Sequence, residues 1–320
     1  MNEPLDRRSF FKKSALSAPA AAALSWQFEE KALQAQPAGT SGPAAPEPPA
    51  DAASFPKGRI GGLELSRLIC GGNLISGFAH SRDLIYVSSL LKNYFNDDKV
   101  IETLNRCQAH GLTAMILRVD DDTARIVRKY REQGGSMQWL AQCKLPANDR
   151  WADIRRAIDG GAVACYVHGG VGDSYVEDGR VQALGEAVEF IKRQGVVSGI
   201  AGHNIAVHRT CEEAGLNPDF YMKTFNSKQY WSAGPMPRND SVWEETPEQT
   251  RAFMAEVDRP WIAYKVLGAG AIHPEQGFRY AFEGGADFIC VGMFDFQVAE
   301  DVEIARRAVT RARVRQRAWA

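Results

Sequence analysis

The sequence predicts an α/β fold, a (β/α)8 barrel of the TIM type, and three observations support this prediction. From about Phe55 onward, short apolar runs alternate with longer amphipathic stretches, which is typical of parallel strands joined by helices. Eight such pairs can be counted in about 260 residues, the usual size of this barrel. Short segments such as His110-Gly111-Leu112 precede several of the predicted strands. A glycine at this place is typical of a helix C-cap that turns the chain into the next strand.

The strands and helices are expected at regular intervals. The eight strands are predicted at Arg67–Gly71, Thr113–Arg118, Gln138–Lys144, Ala162–His168, Ser198–Gly202, Asp219–Thr224, Trp261–Val266 and Asp287–Val291. The helices are predicted at Asp97–Ala109, Asp121–Gln133, Arg150–Asp159, Arg180–Arg193, Val207–Ala214, Pro247–Val257, Pro274–Phe282 and Gln297–Arg311. A doubly wound sheet is the competing architecture, but no Gly-x-Gly-x-x-Gly motif follows the first strand.

Two loops are longer than is usual in this fold. The first, residues 73–96, follows the first strand, and its aromatic and apolar content predicts an ordered lid over the barrel mouth. Four of its polar side chains are candidate substrate contacts: His80, Arg82, Asp83 and Tyr86. The second, Ser227–Thr246, follows the sixth strand, and its aromatic residues, Trp231 among them, either stack on a ligand or pin the loop.

The amino terminus predicts an exported protein. Arg7-Arg8-Ser9-Phe10, followed by the alanine-rich run Ala15–Trp26, resembles a twin-arginine signal, and that run is too short to be a permanent membrane helix. Residues 1–35 are therefore predicted as the signal, 36–57 as a Pro/Ala-rich disordered linker, and 58–320 as the barrel domain. The resemblance implies the twin-arginine translocation machinery as a partner and a location in the periplasm or at the membrane on an uncleaved leader.

Composition favours a small-molecule substrate. Of 320 residues, 38 are basic and 39 acidic, and this balance gives no general attraction to nucleic acid. Hydrophobic residues at 45% exclude wholesale disorder. The six cysteines form no Cys-x-x-Cys pair and the histidines lack metal-ligand spacing, so no metal site is expected.

The reacting groups of such a barrel collect at the carboxyl ends of its strands. Lys144 and His168, at neighbouring strand ends, are the predicted catalytic pair, because a lysine can stabilise an oxyanion and a histidine can transfer a proton near neutral pH. Further predicted substrate contacts at strand ends are Asn73, Arg118 and Lys223.

Several strand-end segments taken together resemble the aldo/keto reductases. They are Leu65-Ser66-Arg67-Leu68 leading to Cys70-Gly71-Gly72, Gly199-Ile200-Ala201-Gly202-His203-Asn204, Ala263-Tyr264-Lys265-Val266-Leu267-Gly268-Ala269-Gly270, and Val291-Gly292-Met293. The resemblance implies an oxidoreductase that uses NADP or NAD. The implied cofactor contacts are His203, Asn204, Lys265, Leu267, Gly268, Gly270 and Gly292.

The resemblance is incomplete where that family carries its catalytic residues. Lys144 and His168 match the family's lysine and histidine, but Ile116-Leu117-Arg118-Val119-Asp120-Asp121-Asp122 offers aspartates and no tyrosine at the place of the usual proton donor. The turn Met293-Phe294-Asp295 also lacks basic residues that would bind the 2′-phosphate of NADP.

Three functions are therefore open. The first is an exported oxidoreductase with a tightly held nicotinamide cofactor. It would act on a small carbonyl or hydroxyl compound, and a sugar derivative is one candidate. The second is a lyase, isomerase or hydrolase that uses the same lysines and histidines without a cofactor. The third is a binding protein, which the density of ionisable groups at the strand ends disfavours. The sequence does not indicate an oligomeric state.

Overall fold

Eight parallel strands close into a barrel in the computed structural model, which describes residues 55–79, 84–228, 244–312, 315 and 317–320. A short antiparallel hairpin, β1 (Lys57–Ile60) and β2 (Leu63–Ser66), precedes the barrel. The barrel strands are β3 (Leu68–Gly71), β4 (Ala114–Arg118), β5 (Gln138–Cys143), β6 (Ala164–Val167), β7 (Val197–Gly202), β8 (Phe220–Thr224), β9 (Trp261–Tyr264) and β10 (Phe288–Val291). The predicted fold class and all eight predicted strands are confirmed.

Ten α-helices lie in the described part of the chain. They are α1 (Tyr86–Tyr94), α2 (Asp97–Ala109), α3 (Asp121–Glu132), α4 (Ala152–Asp159), α5 (Gly169–Glu177), α6 (Val181–Arg193), α7 (Ile205–Glu213), α8 (Pro247–Glu256), α9 (Pro274–Glu283) and α10 (Val298–Arg311). The eight predicted helices are confirmed, and the sequence analysis missed α1 and α5. Side-chain caps fix several starts, because Asn96 accepts a hydrogen bond from the Lys99 amide and Asp120 from the Thr123 amide.

Each barrel strand pairs with its neighbours in chain order, and β10 pairs with β3 to close the ring, with Ile289 opposite Leu68. Side chains alternate along each strand, so one set fills the barrel and the other packs under the helices. Ile116, Leu140 and Met222 belong to the interior set. This alternation decides which strand-end residues face the barrel mouth.

A buried charge cluster closes the amino end of the barrel. Asp287, just before β10, has no exposed surface and forms ion pairs with Arg315 at 2.7 Å and with Arg317. The Arg67 guanidinium donates to the Asp287 carbonyl oxygen at 3.0 Å. The Trp319 ring lies 4.2 Å from the Arg67 guanidinium carbon and 3.6 Å from that of Arg315. The carboxyl-terminal segment thus packs at the end of the barrel opposite the strand ends that carry the candidate site.

The folded body begins within the segment that was predicted as linker. The side chain of Phe55 is fully buried, and β1 begins at Lys57. The hairpin that β1 forms with β2 covers the amino end of the barrel. The predicted signal, most of the linker, and the site candidates His80, Arg82, Asp83 and Trp231 lie outside the described residues. Among the described helices, none combines the length and the apolar character needed to cross a membrane.

Candidate functional site

The mouth of the barrel is lined by polar side chains on the interior face of neighbouring strands. Arg118 pairs with Gln142 in the register of β4 and β5, and Gln142 pairs with Tyr166 on β6. The Gln142 amide donates to the Tyr166 hydroxyl at 3.1 Å. Lys144 and His168 follow on the same strands, two residues nearer the carboxyl end. The structure therefore places Arg118, Lys144 and His168 on one side of the mouth, at the ends of three neighbouring strands.

His203 forms a pair with Asp173 at the end of β7. The His203 Nδ1 lies 2.6 Å from Asp173 Oδ2, and Asp173 Oδ1 accepts from the backbone amides of His203 at 2.9 Å and Asn204 at 3.1 Å. An aspartate held in this way keeps the Nδ1 proton on the histidine and leaves Nε2 as the basic nitrogen. Burial lowers the pKa of His203, opposed by Asp173, so the ring is neutral at neutral pH.

His168 is neutral and has the other tautomer. Its Nδ1 accepts from the Gly170 amide at 3.1 Å, where it caps the start of α5, so Nε2 carries the proton. Burial, together with the charges of a protonated His203 and of Lys144, lowers the pKa of His168 to about 4. His168 is therefore a hydrogen-bond donor in the mouth, while His203 supplies a base.

Tyr264 brings a buried hydroxyl that meets the Thr224 hydroxyl of the neighbouring strand. Tyr264 Oη and Thr224 Oγ1 are both buried, and apart from each other neither has a hydrogen-bond partner within the described residues. The Tyr264 ring lies 5.5 Å from the His203 ring, centroid to centroid. Burial raises the pKa of Tyr264, which keeps the phenol protonated. Two buried hydroxyl groups that have only each other leave hydrogen-bonding capacity unused, which points to a polar ligand atom at this place.

Lys223 does not lie in the mouth, although it was predicted to contact the substrate. It occupies the opposite strand face from Met222 and Thr224, and its side chain is fully buried. Its ammonium forms an ion pair with Glu244 at 3.0 Å and donates to the carbonyl oxygens of His203 at 2.6 Å and Thr224 at 2.7 Å. Lys223 therefore holds the backbone beside His203.

The remaining predicted contacts are placed as follows. Lys144 is exposed at the rim, and its backbone amide donates to Asp153 at 2.9 Å. Asn73 is exposed, and its carbonyl oxygen accepts from the amides of Phe78 and Ala79. Tyr86, at the start of α1, is 59% exposed on the outside of the lid segment. The structure therefore does not bring Tyr86 into the position of the missing tyrosine.

The turn after β9 has an unusual backbone. Lys265, Gly268, Ala269 and Gly270 all have φ between 53° and 86°, and a Cβ on Gly270 would have no atom within 4 Å. Lys265 and Ala269 are non-glycine residues in the left-handed region, and such conformations concentrate at ligand sites. Leu267 lies within this turn, and Gly292 directly follows the neighbouring strand, β10. The predicted cofactor contacts after the last two strands are thus adjacent.

The sequence analysis missed Asp173, Gln142 and Thr224 and gave Tyr264 no chemical role. Thr224 and Tyr264 could have been found from strand alternation, since each lies two residues after an interior apolar residue. Asp173 carried no signal, because it lies on α5, which was not predicted. No group of three or more histidine, cysteine or acidic residues that could hold a metal ion occurs among the described residues.

Changing Gly169 to alanine is expected to disturb the site directly. A methyl group there would lie 2.6 Å from Tyr264 Oη and 3.1 Å from His203 Cε1, so the phenol must move. We expect the rate of any reaction that depends on Tyr264 and His203 to fall by about 10-fold or more, since small misplacements of reacting groups are costly. Gly62→Ala is the control, because a Cβ at Gly62 meets nothing within 4 Å. Equal rates for the two variants would argue against a role for this corner of the mouth.

Acid is expected to destabilise the protein through two buried histidines. Burial lowers the pKa of His208 to about 3 and that of His168 to about 4, from an ordinary value of 6.5. Below about pH 6.5 the unfolded chain binds these protons and the folded chain does not, so the free energy of unfolding falls as pH decreases. The slope is up to about 1.4 kcal/mol per pH unit for each histidine. Urea denaturation between pH 7 and pH 4 measures it, and His208→Phe should make the dependence shallower.

Comparison with solved structures places the fold among aldo/keto reductase barrels. A "putative aldo-keto reductase" from Pseudomonas aeruginosa superposes with a TM-score of 0.57 at 16% identity, covering 82% of this chain and 99% of that one. An aldo/keto reductase from Brucella melitensis has a TM-score of 0.53 at 14% identity, covering 81% and 100%. No protein-family model matches the sequence, and no curated protein matches it. At these identities the likeness concerns the fold.

Proposed function

We propose that this chain is an oxidoreductase of the aldo/keto reductase type that acts on a small carbonyl or hydroxyl compound at its barrel mouth. The observation that carries the proposal is the buried hydroxyl of Tyr264, which meets the buried Thr224 hydroxyl and lies beside the His203–Asp173 pair. The likeness in fold to solved aldo/keto reductases supports the reaction class. Tyr264 takes the place of the tyrosine that is absent after the second barrel strand.

The protonation state of each side chain at the mouth determines its role in the reaction. Tyr264 stays protonated and holds the substrate oxygen as a hydrogen-bond donor, and His168 supplies a second donor through Nε2. Donors aimed at a developing negative charge are worth several kcal/mol in a buried site. His203 Nε2 takes the proton of a substrate hydroxyl during oxidation and returns it during reduction. Asp173 stabilises the imidazolium that forms.

A nicotinamide cofactor would exchange hydride with the substrate carbon, and the residues near the last strands fit NAD better than NADP. The positive-φ turn carries the Lys265 cation and glycines that allow close approach of a diphosphate. Glu300, exposed in the first turn of α10, would repel a 2′-phosphate and can accept a hydrogen bond from a ribose hydroxyl. Asp295, in the turn before α10, is engaged by Tyr94 at 2.5 Å and by Lys99 at 3.3 Å.

The first experiment asks whether the chain holds a nucleotide. The purified full chain is denatured and the supernatant is analysed for nucleotides by absorbance and mass spectrometry, and NAD and NADP are then titrated into the native protein. We expect NAD to be released or to bind about tenfold tighter than NADP, together with reduction of hydroxyacetone by NADH. If neither nucleotide is released or bound, the oxidoreductase proposal is wrong.

A second candidate is a cofactor-independent isomerase, favoured by the base that the His203–Asp173 pair supplies. In this reaction His203 Nε2 removes a proton from the carbon beside a carbonyl, and the electron pair moves to the oxygen held by Tyr264. The proton then returns to the former carbonyl carbon, while the proton of the original hydroxyl passes to the oxygen held by Tyr264, so that the former hydroxyl oxygen becomes the new carbonyl oxygen. Exchange of the hydroxymethylene protons of hydroxyacetone in D2O, followed by proton NMR without nucleotide, would support this candidate.

The leader supports a proposal about location. The resemblance of residues 1–35 to a twin-arginine signal favours export after folding, to the periplasm or to the membrane surface on an uncleaved leader. Such an enzyme must retain its cofactor, because free nicotinamide nucleotides are scarce outside the cytoplasm. Changing Arg7 and Arg8 to lysine should leave the chain in the cytoplasm on cell fractionation. An unchanged distribution contradicts this proposal.

A further inference from the structure

Two cationic side chains converge on His168 at the mouth. Arg118 and Lys144 both contribute to the lowering of the pKa of His168, so both charges lie within reach of its ring. Lys144 is level with His168, because the His168 amide donates to the carbonyl oxygen of Cys143 at 2.8 Å. Arg118 lies one strand further round the ring, opposite Gln142. Both belong to the side of the mouth that faces Tyr264 across the barrel.

The Arg118 guanidinium is oriented before any ligand arrives. Its central carbon lies 3.7 Å from the centre of the Phe78 ring, in the lid segment, and its Nε lies 2.7 Å from Asp120 Oδ2. The face of the Phe78 ring and the charge of Asp120 hold the guanidinium at this place, although Nε makes no hydrogen bond within the described residues. Within the described residues, no hydrogen bond uses the two terminal nitrogens of Arg118. A planar guanidinium held in this way matches the two oxygens of a carboxylate.

Three acidic side chains at or beside the mouth already have partners, and none of them pairs with Lys144. Asp120 lies against Arg118, Asp173 against His203, and Glu244 against Lys223. Lys144 forms no ion pair with an acidic side chain in the described ranges. A bound anion would complete this arrangement.

We propose that the compound that reacts at this mouth is a small hydroxy or oxo acid, whose carboxylate is bound by Arg118 and Lys144 while its reacting oxygen lies at Tyr264 and His203. The inference rests on the proposed function and adds the chemical class of the substrate. It also gives the lid segment a purpose, because Phe78 holds the guanidinium in place.

Matched pairs of acid and alcohol test the inference. The full chain is titrated with lactate and propane-1,2-diol, and with gluconate and sorbitol, which differ within each pair by a carboxylate in place of a hydroxymethyl group. Binding is measured by calorimetry and by ligand-observed NMR at two ionic strengths. We expect at least one acid to bind about tenfold tighter than its alcohol, since a hydrogen-bonded charge pair is worth more than a neutral one. Added salt should weaken binding of the acid alone.

Variants separate the anion site from the rest of the mouth. Arg118→Gln and Lys144→Met should each remove most of the preference for the acid and leave binding of the alcohol unchanged. Arg128→Gln is the matched control, because Arg128 is an exposed cation on α3 away from the mouth. Equal affinity of acid and alcohol, or no saturable binding of either acid up to about 10 mM, overturns the inference. If the chain binds a nucleotide but shows no preference for acids, only this inference is wrong. If it prefers acids but binds no nucleotide, only the oxidoreductase proposal is wrong.

Discussion

Replacing Asp287 with asparagine is expected to lower the free energy of unfolding by about 3–5 kcal/mol, the cost of breaking a buried ion pair from one side. The substitution leaves Arg315, 1% exposed, and Arg317, 9% exposed, without their counter-charge. It also weakens the acceptors for the backbone amides of Trp261 at 3.1 Å and Ala320 at 3.0 Å. Denaturation by guanidinium chloride, followed by circular dichroism, measures the change.

The control for this variant is Asp159→Asn on the exposed end of α4. Asp159 forms no ion pair with another described residue, so its change should alter stability by less than about 0.5 kcal/mol. A loss of similar size in both variants would mean that net charge, not the buried cluster, sets stability. A small loss for Asp287→Asn alone would mean that the arginines find other partners.

Tyr264→Phe is expected to lower the catalytic rate by about 10²–10³-fold, because it removes one donor to the developing charge on the substrate oxygen. The protein itself should lose little stability, since the deleted hydroxyl meets only the Thr224 hydroxyl in the described structure. The rate is that of hydroxyacetone reduction by NADH, and the stability is measured by thermal unfolding.

Tyr166→Phe is the matched control for that result. Tyr166 accepts from Gln142 at 3.1 Å, so its hydroxyl contributes to the fold, and its loss should cost about 1 kcal/mol of stability with a smaller effect on rate. If Tyr264→Phe lowers stability and Tyr166→Phe lowers the rate, the substrate oxygen lies at Tyr166 and not at Tyr264.

The barrel was predictable because its strands are apolar runs with helices of clear periodicity between them. Helix α5 was not, because Gly169-Gly170-Val171-Gly172 has the composition of a loop. Its glycines serve packing: a Cβ on Gly172 would lie 2.2 Å from the Ala201 carbonyl oxygen. Tertiary contact with β7 thus overrides the low helix propensity of this segment. Asp173 lies on the same helix, so its position could not be predicted either.

The positions of Arg118, His168 and His203 at strand ends were predictable, whereas the sequence analysis predicted His203 as a cofactor contact and the proposal makes it a base. Lys223 was placed wrongly because a strand-end lysine was taken to face the mouth, whereas strand alternation turns it toward Glu244. The tautomers of the two histidines depend on Asp173 and on the Gly170 amide, which only the fold brings to them.

The pairing of β10 with β3 has a consequence for synthesis. The first barrel strand gains its second neighbour only when residues 288–291 have been made, and the Arg67 to Asp287 hydrogen bond spans 220 residues. Until then one side of β3 and the growing end of the sheet are open edges that can pair with other chains. Long-range closure of this kind is slow. Nascent chains truncated before β10 should therefore aggregate, and the burden on chaperones should peak just before the ribosome reaches that strand.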